Sequence, residues 1–384
     1  MLGLDPHNST VKAMLSTWER REEDESRRPY LGASMIGSEC DRFLWLAFRW
    51  AFARPTFDGR ILRLFNRGHR EEPVFEQELQ AIGCEVEGTQ HEETFAKGHG
   101  KAHCDGVVRG LVEAPKTWHV VDFKTMNDKS FKKFLKCSSE EDFAEAYPRY
   151  FGQLQIEMAL MGLDRCALFA VNKNDDSLHM LRMRNVAGDH YVARAENTVE
   201  AEAPPCTDRT PTDYRCRFCD ASKICHGLAC AEISCKTCCY STPVDDGKWT
   251  CSLSGAAELV PNEFLQMGCT EHIFIPGTLK LEYADFGDGW VSYSNGLINA
   301  GAGTELPNGL SFRARATSAE LKRNWSAVKD GDFDALLEER ICFPEKTQFE
   351  ACDPETDIRK AQLLELIESG DENAKSDYFK EYGN

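Results

Sequence analysis

The chain has 384 residues, a net charge of −18 and a hydrophobic share of 42%. That length predicts two or three units of roughly 100–200 residues each, enough to bury a core. No apolar run approaches the ~20 residues of a membrane span, and the polar segment 1–29 has no signal-peptide core, so no membrane partner and a cytoplasmic location are expected.

Residues 1–30 read as a lead-in, 31–230 as mixed helix and strand, 231–275 as a small cysteine-rich module, and 276–384 as a C-terminal region with an acidic tail. Apolar spacing at Leu64, Phe75 and Leu79 predicts a helix over 60–82. Asp105-Gly106 followed by Val107 and Val108 reads as the start of a strand, and 117–124, Thr-Trp-His-Val-Val-Asp-Phe-Lys, as a second. Leu154, Met158 and Met161 predict a helix over 147–162, and Arg165–Val171 a buried strand. Alternation at Leu281, Tyr283, Trp290, Val291 and Tyr293 predicts a β-hairpin piece. Asp353-Pro354 and Gly370 bracket a helix over 354–370.

Charge is unevenly spread. From Gly331 to Asn384 there are 15 acidic and 6 basic residues, half of the whole net charge. Upstream, Arg49, Arg54, Arg60, Arg63, Arg67 and Arg70, then Lys129, Lys132, Lys133 and Lys136, form local basic stretches suited to a phosphate backbone. Arg42 is a further candidate for that contact, with Lys132 or Lys133.

Asp122-Phe123-Lys124 ends the strand at 117–124. Alternation turns Asp122 and Lys124 to one face and Phe123 into the core. A carboxylate suits a hard divalent cation, and a neighbouring lysine can steady charge developing on an attacked phosphate. Asp105 on the adjoining strand supplies a second carboxylate. His69, Glu72 and Glu76 share a helical face, as do Tyr150, Gln153 and Glu157. The glutamates read as solvated, and the histidine as a further possible ligand.

The order Gly37-x-x-Cys40, Gly68-His69, His103-x-Asp105-Gly106, Val121-Asp122-Phe123-Lys124 and Tyr150-x-x-Gln153 resembles RecB-type PD-(D/E)XK nucleases over about residues 31–230. The resemblance implies an α/β (α+β) restriction-endonuclease-like core. It also implies Mg²⁺ or Mn²⁺ held by His69, Asp105, Asp122 and the Phe123 carbonyl, with Lys124 and Gln153 in the catalytic set. Many members carry a tyrosine four residues after that glutamine, and here the residue is Glu157.

Seventeen cysteines in a cytosolic chain point to metal rather than disulfides, and ten of them lie between Cys206 and Cys269. Cys216, Cys219 and Cys225 are spaced C-x2-C-x5-C, and Cys40 is the chosen fourth ligand. Four thiolates hold either zinc or a 4Fe–4S cluster, and spacing alone favours zinc. One cysteine before the core and three after it resemble the iron–sulfur nucleases: AddB-type subunits, Cas-four exonucleases and stand-alone phage enzymes. That resemblance implies a structural 4Fe–4S cluster. In the module, Cys235, Cys238, Cys251 and Cys269 suit a structural Zn²⁺, with His272 as an alternative ligand and Cys230 and Cys239 as substitutes.

The resulting expectation is a metal-dependent DNA exonuclease acting on single-stranded or duplex ends. The resemblance implies phage recombination or DNA processing in the host cytoplasm, beside a strand-annealing protein. A non-catalytic metal-stapled DNA-binding or adaptor protein and a structure-selective endonuclease stay open on the residues alone.

Overall fold

The computed structural model describes residues 9–23, 27–88, 90–307, 309–310 and 314–336. The expected helix over 354–370 lies outside the described residues. The helices are α1 (Ser9–Glu23), α2 (Ala33–Ile36), α3 (Asp41–Phe48), α4 (Gly59–Ala81), α5 (Asp128–Phe134), α6 (Glu140–Ala146), α7 (Pro148–Met161), α8 (Gly188–Glu200), α9 (Ser222–Cys225) and α10 (Ser318–Val328). The strands are β1 (Leu31–Gly32), β2 (Glu85–Glu87), β3 (His91–Phe95), β4 (Gly100–Cys104), β5 (Gly106–Arg109), β6 (His119–Met126), β7 (Arg165–Asn172), β8 (Leu178–Arg184), β9 (Ser241–Pro243), β10 (Trp249–Cys251), β11 (Glu258–Val260), β12 (Tyr283–Gly287), β13 (Trp290–Tyr293), β14 (Ile298–Ala300) and β15 (Arg315–Ala316). The fold class is mixed α+β, as expected.

Two compact units divide the chain. The first comprises the residues up to Glu39 together with Arg54–Asn197, and the second Cys40–Ala53 together with the residues from Thr198 onward. Hydrogen bonding draws segment 40–53 into the second unit: the Trp45 indole donates to the Ala201 carbonyl (2.8 Å), and Glu232 N to the Ala51 carbonyl (2.9 Å).

The first unit is built on a sheet ordered β2-β5-β6-β7-β8, in which only the β6–β7 pair is parallel. A parallel neighbour needs a crossover, and α5, α6 and α7 provide it. The β-branched and aromatic residues of β6 favour the pleat. Val120 and Met126 pack with Leu154 and Met158 of α7 on one face, while Val121 and Phe123 pack with Phe75 and Leu79 of α4 on the other. Phe75 and Phe123 stack with centroids 4.9 Å apart and planes 3° from parallel. A smaller sheet, β1-β4-β3, joins the large one through Asp105, the single residue between β4 and β5.

The helices that frame the site end where local chemistry says they should. Asp58 caps α4 by accepting from Ile61 N at 2.8 Å. Helix α7 opens with Pro148 and closes at Gly162, whose φ of 63° is left-handed.

The second unit carries two small sheets, β11-β10-β9 and β12-β13-β14-β15. The expected hairpin is β12–β13, paired Gly287 with Trp290.

Gly37 and Gly152 let the end of α2 rest against α7. A Cβ on Gly37 would lie 2.4 Å from the Pro148 carbonyl oxygen and 2.7 Å from Arg149 Cα, and one on Gly152 would lie 2.6 Å from Gly37 Cα. These are backbone atoms that cannot swing aside. Gly37→Ala is expected to destabilise the first unit by about 1–3 kcal/mol, the scale of core overpacking, measured as a lower urea midpoint at unchanged slope.

Candidate active site and cysteine centres

Strand alternation puts Asp122 and Lys124 on the same face of β6, as the sequence implied. Asp122 is buried. Its Oδ1 accepts from Lys124 Nζ at 2.5 Å and from Gln153 Nε2 at 3.1 Å. The same Gln153 amide nitrogen donates to Glu157 Oε1 at 2.8 Å. Asp105 Oδ2 accepts from the backbone N of Phe123 at 2.7 Å, which ties the bend between the two sheets to the central strand. The Tyr150 ring lies 5.4 Å from Lys124 Nζ.

These groups are electrically unbalanced. Burial and the neighbouring Asp122 push the Asp105 carboxyl up to about 7. Burial raises Asp122 as well, although Lys124 and Gln153 oppose the rise. Burial and Asp122 together hold Glu157 well above the usual carboxylate range. Burial would strip the proton from Lys124, but Asp122, Asp105 and Glu157 outweigh it and keep the ammonium charged. Glu72 on α4 adds further negative potential at both aspartates. One lysine thus faces several carboxyl groups. Asp122 Oδ2 and Glu157 Oε2 are buried with no hydrogen-bond partner. A hard divalent cation takes oxygen ligands of this kind, so the donor set fits one.

The side chains sit on hydrogen bonds to one another. Among the described residues, no group of three or more His, Cys, Asp or Glu side chains is already drawn into a metal-holding arrangement.

His69 is placed differently from the aspartates. Its side chain is 73% exposed and its Nδ1 lies 3.1 Å from Glu72 Oε1, so its described link to the acidic group runs through Glu72. Glu72 and Glu157, read from sequence as solvated or as a departure, belong to the site instead. The available signal for Glu157 was its setting, since α7 buries Phe151, Leu154, Ile156 and Met158 around it.

Several expected phosphate contacts are withdrawn. Arg42 is buried, and its guanidinium donates to the Pro205 and Gly277 carbonyls at 3.1 and 3.0 Å. Arg49 is buried too. Arg54 pairs with Glu22, whereas Lys132 and Lys133 stay exposed, one paired with Asp128 and the other donating to the Ala146 carbonyl. Arg60, Arg63 and Arg70 remain exposed on α4.

In the second unit, Cys40 is the N-cap of α3 and stands near Cys216, Cys219 and Cys225. Burial raises the Cys219 thiol, and Cys40, Cys216 and Cys225 each add to that rise. Burial likewise raises Cys216, with Cys225 and Cys40 contributing. Turns closed by Cys219 N to the Cys216 carbonyl and Cys225 N to the Ala221 carbonyl bring the knuckle round. Cys40, Cys216 and Cys225 are thus electrostatic neighbours of Cys219, and a thiol gives up its proton when it binds a metal.

In the second set, Cys238 and Cys251 are electrostatic neighbours of Cys269. Burial pushes Cys269 up to about 12, with Cys238 and Cys251 adding to the effect. Cys235 N donates to the Met267 carbonyl at 3.0 Å, and Cys238 N to the Cys235 carbonyl at 3.1 Å. Cys239 is the added neighbour, since its thiol and that of Cys238 share a hydrogen bond. His272 is removed from the ligand candidates. Its Nδ1 lies 2.8 Å from Ser318 Oγ and its Nε2 3.1 Å from Thr237 Oγ1, so both ring nitrogens are already engaged.

No family model matches the chain, and no curated protein does. Solved structures do. SSO0001 is 16% identical with a TM-score of 0.35, over 57% of this chain and 97% of that one. An alkaline exonuclease from Laribacter hongkongensis is 16% identical with a TM-score of 0.29, over 48% of this chain and 88% of that one. The same exonuclease in complex with dAMP is 17% identical with a TM-score of 0.30, over the same shares of the two chains.

His272 gives a pH test of the second unit. Burial lowers its pKa to about 4, so the unfolded state takes up a proton first as pH falls. The stabilisation is complete above pH ~6.5 and is lost on acidification toward 4. Wild type is expected to lose about 2 kcal/mol more between pH 7 and 5 than His272→Gln, read from denaturant unfolding at each pH.

Proposed function

We propose that the chain is a divalent-metal-dependent deoxyribonuclease of PD-(D/E)XK type that shortens DNA from its ends. The observation that carries this reading is the buried acidic excess around Lys124, with one orphaned oxygen each on Asp122 and Glu157. Asp105, Asp122 and the Phe123 carbonyl would hold Mg²⁺ or Mn²⁺, with His69 joining from α4. When bound, such an ion makes a water nucleophilic at neutral pH and stabilises the leaving oxygen.

The chain's own residues do the rest. Lys124, kept charged by its acidic neighbours, offers a preorganised cation to charge developing on the phosphate. Gln153 orients the Asp122 carboxylate through Oδ1 and links it to Glu157. The Phe75–Phe123 stack fixes the strand that bears both catalytic side chains.

Cys40, Cys216, Cys219 and Cys225 are assigned to a 4Fe–4S cluster, and Cys235, Cys238, Cys251 and Cys269 to a structural Zn²⁺. Both roles are structural, since hydrolysis moves no electrons. Among the described residues no helix is long and apolar enough to cross a membrane. Phage recombination or DNA processing, in the host cytoplasm beside a strand-annealing protein, is proposed on the sequence resemblance.

The test is cleavage of end-labelled linear DNA by anaerobically purified protein with Mn²⁺ or Mg²⁺. Wild type is expected to shorten the strand progressively. Asp122→Ala and Lys124→Ala are each expected to lose roughly 10²–10³-fold or more in rate. Binding without cutting by wild type would replace the nuclease with a DNA-binding adaptor. Cleavage of circular single strands would make it an endonuclease.

The Glu157 assignment has its own test. Glu157→Gln keeps the hydrogen bond to Gln153 but removes a like charge. It is expected to stabilise the metal-free first unit increasingly as the pH rises far enough to ionise the buried carboxyl. It should also weaken Mn²⁺ binding, measured by titration calorimetry. Unchanged affinity would return Glu157 to a structural role.

A further inference from the structure

Arg49 follows α3 as its C-cap, and its side chain is only 4% exposed. Its Nη1 donates to the carbonyls of Lys236 (3.4 Å) and Ser241 (3.2 Å). Those carbonyls bracket Cys238 and Cys239 in the chain. The guanidinium lies 5.0 Å from the Trp249 ring, 5.5 Å from Trp45 and 5.9 Å from Phe48. Its Nε is buried with no partner. The ammonium of fully buried Lys236 lies over the same Trp249 ring at 5.0 Å.

Burying a guanidinium costs free energy. Aromatic faces and carbonyls offset part of that cost, but neither carries a full negative charge. Among the described residues, Arg49 has no carboxylate partner. The cysteine set stands beside it. Cys238 lies between the two accepting carbonyls, and Cys251 is two residues beyond Trp249 in β10. Burial lowers the Arg49 guanidinium to about 10, and Cys238 is the neighbour that opposes this.

Unliganded, buried thiols such as Cys238 are neutral and give Arg49 little. A metal displaces their protons, and a divalent ion with four thiolates is left with excess negative charge. His272 cannot reduce that charge by replacing a thiolate, because both its nitrogens are engaged.

We propose that Arg49 is the counter-charge of a four-thiolate metal centre at Cys235, Cys238, Cys251 and Cys269, so that metal loading locks segment 40–53 onto the cysteine module. This rests on the reading of that set as a metal centre. Arg49 is a positioning residue: it touches no metal and acts through the thiolates and the two knuckle carbonyls. Because Cys40 caps the other end of α3, one short helix joins this centre to the first cysteine set.

The experiment uses the full chain, purified anaerobically, beside Arg49→Met, Arg49→Lys and Cys251→Ser. Zinc is counted by elemental analysis, its affinity is taken from competition with a chromophoric chelator, and denaturant unfolding is followed with and without zinc. Arg49→Met is expected to bind zinc roughly 10–100-fold more weakly, the scale of substitutions just outside a ligand shell, with Arg49→Lys in between. The stabilisation that zinc confers on wild type should shrink in Arg49→Met. Equal zinc affinity in wild type and Arg49→Met overturns the proposal. So does a stability loss that is the same with and without zinc, which would make Arg49 a packing residue. If wild type holds no more zinc than Cys251→Ser, the metal centre itself falls and the proposal with it.

Discussion

Buried carboxylates crowded around a single lysine are the constraint on which the first unit turns. Asp122 is held by Lys124 at 2.5 Å, yet Asp105 and Glu157 add further acid to the same buried region. A folded protein meets such an imbalance by protonating carboxyls or by binding a cation. The strand that creates the imbalance also anchors it. Phe123, between Asp122 and Lys124, points the other way and stacks on Phe75 of α4. Core and site are therefore two faces of the same three residues.

A different economy governs the second unit. Its core mixes apolar side chains with buried groups that need partners: Arg42 and Arg49 on backbone carbonyls, His272 on two hydroxyls, and two sets of thiols. Short strands of two to five residues leave the tying of segments far apart in sequence to hydrogen bonds between them. Segment 40–53 shows this most directly. It leaves the first unit's sequence neighbourhood, contributes Cys40 at one end of α3, and sends Arg49 to the cysteine module at the other.

The proposed division of labour follows from these two settings. Hard oxygen donors with orphaned lone pairs suit a catalytic divalent cation, whereas buried thiols suit metals that hold structure. Hydrolysis requires only the first.

The sequence by itself determined what local periodicity controls. Alternation in Val121-Asp122-Phe123-Lys124 fixed which side chains share a face. Apolar spacing and the Pro148 and Gly162 signals fixed α7, and Asp105-Gly106 marked the start of β5. Cysteine spacing marked the two candidate sets. Only the tertiary structure decided the partners of buried polar groups. Glu157 and Glu72 looked solvated because a helical face does not say what packs on it. Arg42 and Arg49 looked like phosphate contacts because a basic residue carries no local sign of burial. His272 looked like a ligand until Thr237 and Ser318 were seen to occupy both ring nitrogens. Repeating side-chain direction is a property of the local backbone and can be read along the chain. Desolvation and hydrogen-bond partnership depend on residues brought near from elsewhere, and those exist only once the chain has folded.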